Sequence, residues 1–127
     1  LENSPGTVAV VDDDPSMLRS VERLLTANGF MTEGYPSAEG FLRRAQLENV
    51  HCLVLDIHLG GMSGVELWNS LRQRGSNLPI IFMTAVEDET LERAAVDAGC
   101  VAYLRKPFQA KSLIAAVNRA LEVQPLD

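Results

Sequence analysis

The sequence predicts an α/β protein built on one doubly wound, five-stranded parallel sheet with helices on both faces. Three observations carry that expectation. Five short strand-like runs alternate with five amphipathic helical patterns. Four of the runs, Val8 to Val11, Cys52 to Leu55, Ile80 to Met83 and Val101 to Leu104, are apolar almost throughout, as strands covered on both faces must be. The fifth, Phe30 to Tyr35, carries Thr32, Glu33 and Gly34, and that polarity assigns it to an edge.

Each element has a local reason. The first run stops at Asp12, Asp13 and Asp14. Asp14 precedes Pro15, a favoured first helical residue, and is placed to cap the helix that follows. Met17, Leu18, Val21, Leu24 and Leu25 share one face of that helix, and Gly29 is placed to end it. After the edge run, Ser37 caps a stripe of Ala38, Phe41, Leu42 and Ala45. The third run ends at Asp56, and Ser63 to Glu66 has the capping-box form ahead of Val65, Trp68 and Leu71. The fourth run ends at Thr84, and a thinner stripe of Leu91, Ala94, Ala95 and Ala98 closes at Gly99. The fifth run leads to Lys106 and Pro107. Leu113, Val117, Ala120 and Leu121 line the last helix, and Pro125 follows its end. With right-handed crossovers and the polar run at an edge, the strand order is 2-1-3-4-5. Ligands then bind where the order reverses, beyond the carboxyl ends of strands 1 and 3.

The bulk numbers fit one domain over residues 1–127, with a core from 7 to 123. The chain has 127 residues, 46% of them hydrophobic, enough for a real core. No apolar run approaches a membrane span, and no charged-then-apolar leader points to secretion. The net charge of −6 repels phosphate backbones, which argues against nucleic-acid contact by this domain. Cys52 and Cys100 each begin an apolar run. They read as core residues of a reducing, cytoplasmic protein, roughly two strand spacings (9–10 Å) apart and too far to bridge.

The acids are the chemical signal. Asp14 is occupied as a cap, so Asp12, Asp13 and Asp56 converge on one sheet edge. Bare carboxylates ~4 Å apart repel by several kcal/mol at intermediate dielectric, so such a cluster takes up a proton or holds a cation. An all-oxygen cluster with open positions suits Mg²⁺, which keeps several waters and accepts phosphate oxygens. Lys106 and Thr84 end strands that reach the same edge. One supplies a point charge and the other a hydroxyl for a phosphoryl group. Taken singly, Thr84 reads as a strand-end hydrogen-bonding residue and Lys106 as a solvated charge; the set as a whole points to phosphoryl chemistry.

The pieces VVDDDP, LVLDIHLGGMSGVEL, IIFMTA and AYLRKPF, in that order, resemble the receiver domain of bacterial two-component response regulators. The resemblance runs from about Thr7 to Val123. It implies the flavodoxin-like (βα)5 receiver fold and a phosphorelay function. Asp56 then resembles the phosphoacceptor, fed by the phosphohistidine of a sensor histidine kinase or a phosphotransfer protein. Asp13 and Asp56 resemble the ligands of Mg²⁺ (or Mn²⁺), with the backbone carbonyl of His58 as a third. Asp12 resembles the acid that assists through a water. Lys106 resembles the phosphate-binding lysine, whose bond to the next proline is cis in the family. Thr84 and Tyr103 resemble the pair that rearranges on activation, although strand propensity alone accounts for a tyrosine at 103.

The resemblance further implies a shift at the face made by helix 4, strand 5 and helix 5, with phosphorylation-dependent homodimerisation there. Arg105, Asp97 and Lys111 are its expected rim charges. Residues 124–127 read as the start of a linker to an output domain that regulates transcription. Gly60-Gly61 stands where the family has Pro-Gly, which implies a more mobile loop. The His58 side chain reads as an exposed loop group, and apolar Val86 as an obstacle to attacking water. Such a domain catalyses its own phosphorylation without being a turnover enzyme. An aspartate-nucleophile phosphatase is the enzyme alternative, but it carries an Asp-x-Asp-x-Thr pattern after its first strand, whereas Pro15 and Ser16 follow Asp14 here. A phosphorylation-independent interaction module would show gaps in the acid, threonine and lysine set, and the set is complete.

Overall fold

The computed structural model describes residues 6–122. The elements are β1 (Thr7–Val11), α1 (Pro15–Ala27), β2 (Met31–Tyr35), α2 (Ala38–Arg44), a 3₁₀ turn (Leu47–Asn49), β3 (Cys52–Asp56), α3 (Gly64–Gln73), β4 (Ile80–Thr84), α4 (Glu89–Asp97), β5 (Ala102–Arg105) and α5 (Ala110–Glu122). All strand pairs are parallel and the order is β2-β1-β3-β4-β5. Val123, Pro125 and the expected linker at 124–127 lie outside the described residues.

Alternation along the central strands divides the core into two layers. Val8, Val10, Cys52, Val54, Ile81 and Met83 face α1 and α5 and pack on Val21, Leu25, Leu113 and Val117. Ala9, Leu53, Leu55 and Phe82 face α2, α3 and α4 and pack on Phe41, Leu67 and Trp68. Trp68 meets Phe82 edge-on, with ring centroids 5.2 Å apart. β3 and β4 are buried at every position, whereas β5, the far edge, is half-buried with an exposed last residue.

The caps form as the sequence predicts. Asp14 accepts the amides of Ser16 and Met17, Ser37 accepts that of Gly40, and Ser63 and Glu66 close a reciprocal capping box. Gly29 adopts φ +91°, and the Phe30 amide donates to the Leu25 carbonyl in a Schellman ending. Three details differ from expectation. β2 begins at Met31, because Phe30 turns inward as the buried residue after that Schellman turn. β5 begins at Ala102, because the Val101 carbonyl accepts a hydrogen bond from Arg119. On α4 only Ala95 is buried and Ala94 faces solvent, since an edge strand leaves less sheet for its helix to cover. Both cysteines are free; Cys52 packs in the α1/α5 layer and Cys100 against the opposite one. Among the described residues no helix is long and apolar enough to cross a membrane.

Candidate functional site

The carboxyl ends of β1, β3, β4 and β5 meet at one edge. The β1–β3 register pairs Val11 with Leu55, so Asp12 and Asp56 emerge side by side. Asp12 is fully buried and Asp56 is 6% exposed, whereas Asp13 faces solvent. Carboxylate oxygens of all three lie within 4.8 Å of one another. Lys106 reaches in from the end of β5, its Nζ donating to Asp12 at 2.9 Å and Asp56 at 3.0 Å. Its backbone amide donates a hydrogen bond to the Thr84 carbonyl at 2.7 Å, and the Lys106–Pro107 peptide is cis.

The electrostatics follow from burial. Desolvation pushes the Asp56 carboxyl above its usual range, against the pull of Lys106 and the His58 amide; the Asp12 charge adds to the rise. Burial opposes the Lys106 ammonium too, yet hydrogen bonds to Asp12 and Asp56 outweigh it and raise that pKa. Both directions hold together because one ammonium serves two carboxylates: the lysine gains two partners while each acid has a share of one charge.

Magnesium fits this donor set. The cluster offers only hard carboxylate oxygens, and when ionised its three acids exceed the lone ammonium by two negative charges. A divalent cation balances that excess. The His58 side chain is exposed, and its amide donates to Asp56 Oδ1 at 3.0 Å.

Thr84 is fully buried at the end of β4, and its hydroxyl accepts the Val86 amide at 3.0 Å. Tyr103 pairs with Phe82 across β4 and β5, their rings 6.3 Å apart. Strand alternation sets Thr84, Phe82, Tyr103 and Arg105 on the same face of the sheet. The Tyr103 hydroxyl is buried with no partner among the described residues, and burial, with Glu92 and Asp88 nearby, raises its pKa. Arg105 is exposed, and it bridges Glu87 before α4 and Glu92 within it, at 2.9 and 3.1 Å. Asp97 and Lys111 are exposed, as is Val86 at 47%.

Two features escape sequence reasoning. The loop between β3 and α3 is tied rather than loose. The Gly60 amide donates to Asp13 Oδ2 at 3.1 Å, a bond that a proline at this position has no N–H to make. The Met62 amide donates to Glu39 Oε2 at 2.9 Å. Neither the Gly60 tether nor the role of Glu39 has a local signal, because the partners are 47 and 23 residues apart.

Comparison with known proteins agrees with this architecture. Residues 8–118 match the response regulator receiver domain. The transcriptional regulatory protein TdiR of Thauera aromatica is 39% identical over 116 residues, 91% of this chain and 51% of that protein. The transcriptional regulatory protein FixJ of Rhizobium meliloti (strain 1021) is 38% identical over 116 residues, 91% of this chain and 57% of that protein. The chain thus spans about half the length of the curated relatives it matches. Among solved structures, the response regulator StyR superposes with a TM-score of 0.87 at 38% identity, covering 93% of this chain and 60% of its own. The FixJ-N crystal structure does so with a TM-score of 0.85 at 36% identity, covering 95% and 97%. With its motifs, strand order and site edge in agreement, the chain belongs to the response regulator receiver domains of two-component signal transduction.

Proposed function

We propose that this domain is a phosphoacceptor switch in which Asp56 takes a phosphoryl group from a phosphohistidine on a sensor kinase or phosphotransfer protein. One observation carries the reading: the Lys106 ammonium sits between Asp12 and Asp56, on the edge that also holds Asp13. An Asp56 oxygen forms the new bond to phosphorus as the phosphorus–nitrogen bond breaks, and the electron pair returns to the imidazole. Asp13, Asp56 and the His58 carbonyl, with Asp12 assisting through a water, would hold Mg²⁺, which would supply charge neutralisation for the phosphoryl oxygens. Lys106 shares that task by turning its ammonium from Asp56 toward them. An apolar groove beside Lys106, lined by Met17, Val21, Leu24 and Phe108, offers a seat for the donor protein.

The switch follows from the same edge. Thr84 releases the Val86 amide to donate to the phosphoryl oxygens, and Tyr103 moves into the vacated space and gives its buried hydroxyl a partner. The shift alters the face of α4, β5 and α5, which favours a homodimer and controls an output region that regulates transcription. The free cysteines support a cytoplasmic setting.

The test is incubation with Mg²⁺ and a small-molecule phosphodonor, followed by mass spectrometry. One added phosphoryl group is expected, absent without metal and absent in a folded Asp56→Asn variant. Equal labelling of that variant overturns the assignment. The apolar side chain of Val86 next to Thr84 also leads to a slowly hydrolysing phosphoryl group. Val86→Glu, which can orient water, is expected to shorten its lifetime by about tenfold, less than the roughly hundredfold or more of an optimally positioned base. An unchanged decay rate removes that part of the proposal.

A further inference from the structure

The β3–α3 loop is held by a regular device. At alternate positions, the amides of His58, Gly60 and Met62 donate to carboxylates on three different elements: Asp56 at the end of β3, Asp13 after β1, and Glu39 in the first turn of α2. Two of those carboxylates belong to the reaction site, and a cation or a phosphoryl group claims their oxygens. Glu39 stands outside it. The Glu39 carboxylate also fills the space beside Gly61, where an added Cβ would lie 2.6 Å from Oε2, and Gly61 has φ +75°. The Met62 amide holds the Glu39 carboxyl below its ordinary range, so the acceptor is anionic at neutral pH.

We propose that Glu39 is a positioning residue for the cation end of the site, holding the β3–α3 loop by the Met62 amide independently of Asp13 and Asp56. The proposal rests on the Mg²⁺ reading above. When Asp13 and Asp56 turn to the cation, the Gly60 and His58 amides lose or share their acceptors. A loop with two adjacent glycines then has a large conformational entropy to lose in presenting the His58 carbonyl. The Glu39–Met62 bond keeps that segment ordered in both states, so the carbonyl does not have to be ordered at the moment of binding. Glu39 touches neither the phosphoryl group nor the cation in this scheme.

Glu39 also sits in the first turn of α2, where a negative charge favours the helix by itself. The variants separate the two roles. Glu39→Gln loses the charge but retains an oxygen that accepts the Met62 amide; Glu39→Ala loses both. Amide exchange of the metal-free proteins and Mg²⁺ titration by calorimetry are read on wild type, both variants and Asp13→Asn. The expected result is faster exchange at Gly60 to Met62 in Glu39→Ala, and Mg²⁺ binding weaker by about tenfold, the lower end for residues that orient metal ligands. Glu39→Gln stays near wild type in both, and phosphorylation of Glu39→Ala recovers at saturating Mg²⁺. If both variants weaken binding alike, the charge at the helix end is responsible and the positioning role is wrong. Unchanged exchange and affinity in Glu39→Ala also overturn it, while loss of binding in Asp13→Asn shows that the Mg²⁺ reading stands. No binding by wild type removes both.

Discussion

At the scale of single residues, the acid cluster is held under tension that the fold does not relieve by itself. Asp56 is buried beside Asp12 with half of an ammonium for company, and its carboxyl is pushed upward in consequence. An acid whose folded pKa is raised adds stability below its ordinary value, near 3.9, and that contribution disappears as pH rises through the folded value. Raising the pH of the metal-free protein therefore removes the Asp56 contribution. Asp56→Asn is expected to raise its melting temperature by about 4 °C, equivalent to about 1 kcal/mol in a domain of this size, with the gain shrinking toward pH 4. Thermal melts across that range in the presence of a chelator check it, and a variant less stable than wild type at pH 7 contradicts it. Asp14 lies next to this cluster and has a different job. Its carboxylate caps α1, so Asp14→Ala is expected to cost about 1 kcal/mol of stability, while Mg²⁺ affinity stays within twofold of wild type. A large loss of affinity would place Asp14 in the cation site.

At the scale of elements, the connection from β4 to α4 is restrained by one hydrogen bond and two ion pairs. Thr84 holds the Val86 amide, and Arg105 holds both Glu87 and Glu92. Those ion pairs are exposed, so they steer the loop more than they stabilise the fold. Arg105→Ala is expected to leave the melting temperature nearly unchanged and to speed amide exchange across Val86 to Glu92. Raising salt from low to high concentration should do the same to wild type and little more to the variant. Protection unaffected by either change rules out the clamp. The β3–α3 loop behaves in the opposite way. Its paired glycines read as slack in the sequence, yet Asp13 and Glu39 tie it from two other elements.

Across the whole molecule, the end of β4 at the site and the β5 edge share one core layer. Phe82 is fully buried in the central sheet, between Trp68 of α3 and Tyr103 of β5, two residues before Thr84. A packed ring there fixes where β4 stands relative to both neighbours. Phe82→Ala is expected to destabilise the domain by about 3–5 kcal/mol, in line with truncation of a core phenylalanine. Urea unfolding checks it, with the midpoint lowered and the slope unchanged if the fold persists. A loss below about 1 kcal/mol would mean that the layer collapses into the space and that Phe82 is not its keystone.

Fold class, strand order and the set of acids, threonine and lysine at one edge are legible in the chain alone. These follow from short-range rules: apolar runs, caps such as Asp14 and Ser63, and the fact that every parallel strand ends on the same side. How charge is shared there emerges from the folded arrangement, with Lys106 between two buried carboxylates and Asp13 outside them. The same arrangement tethers Gly60 and Met62, buries the Tyr103 hydroxyl with no partner among the described residues, and pairs Arg105 with Glu87 and Glu92. The reason is physical. Periodicity and caps are written within a few residues of chain, whereas desolvation and cross-element hydrogen bonds depend on distances that exist only after the strands have paired.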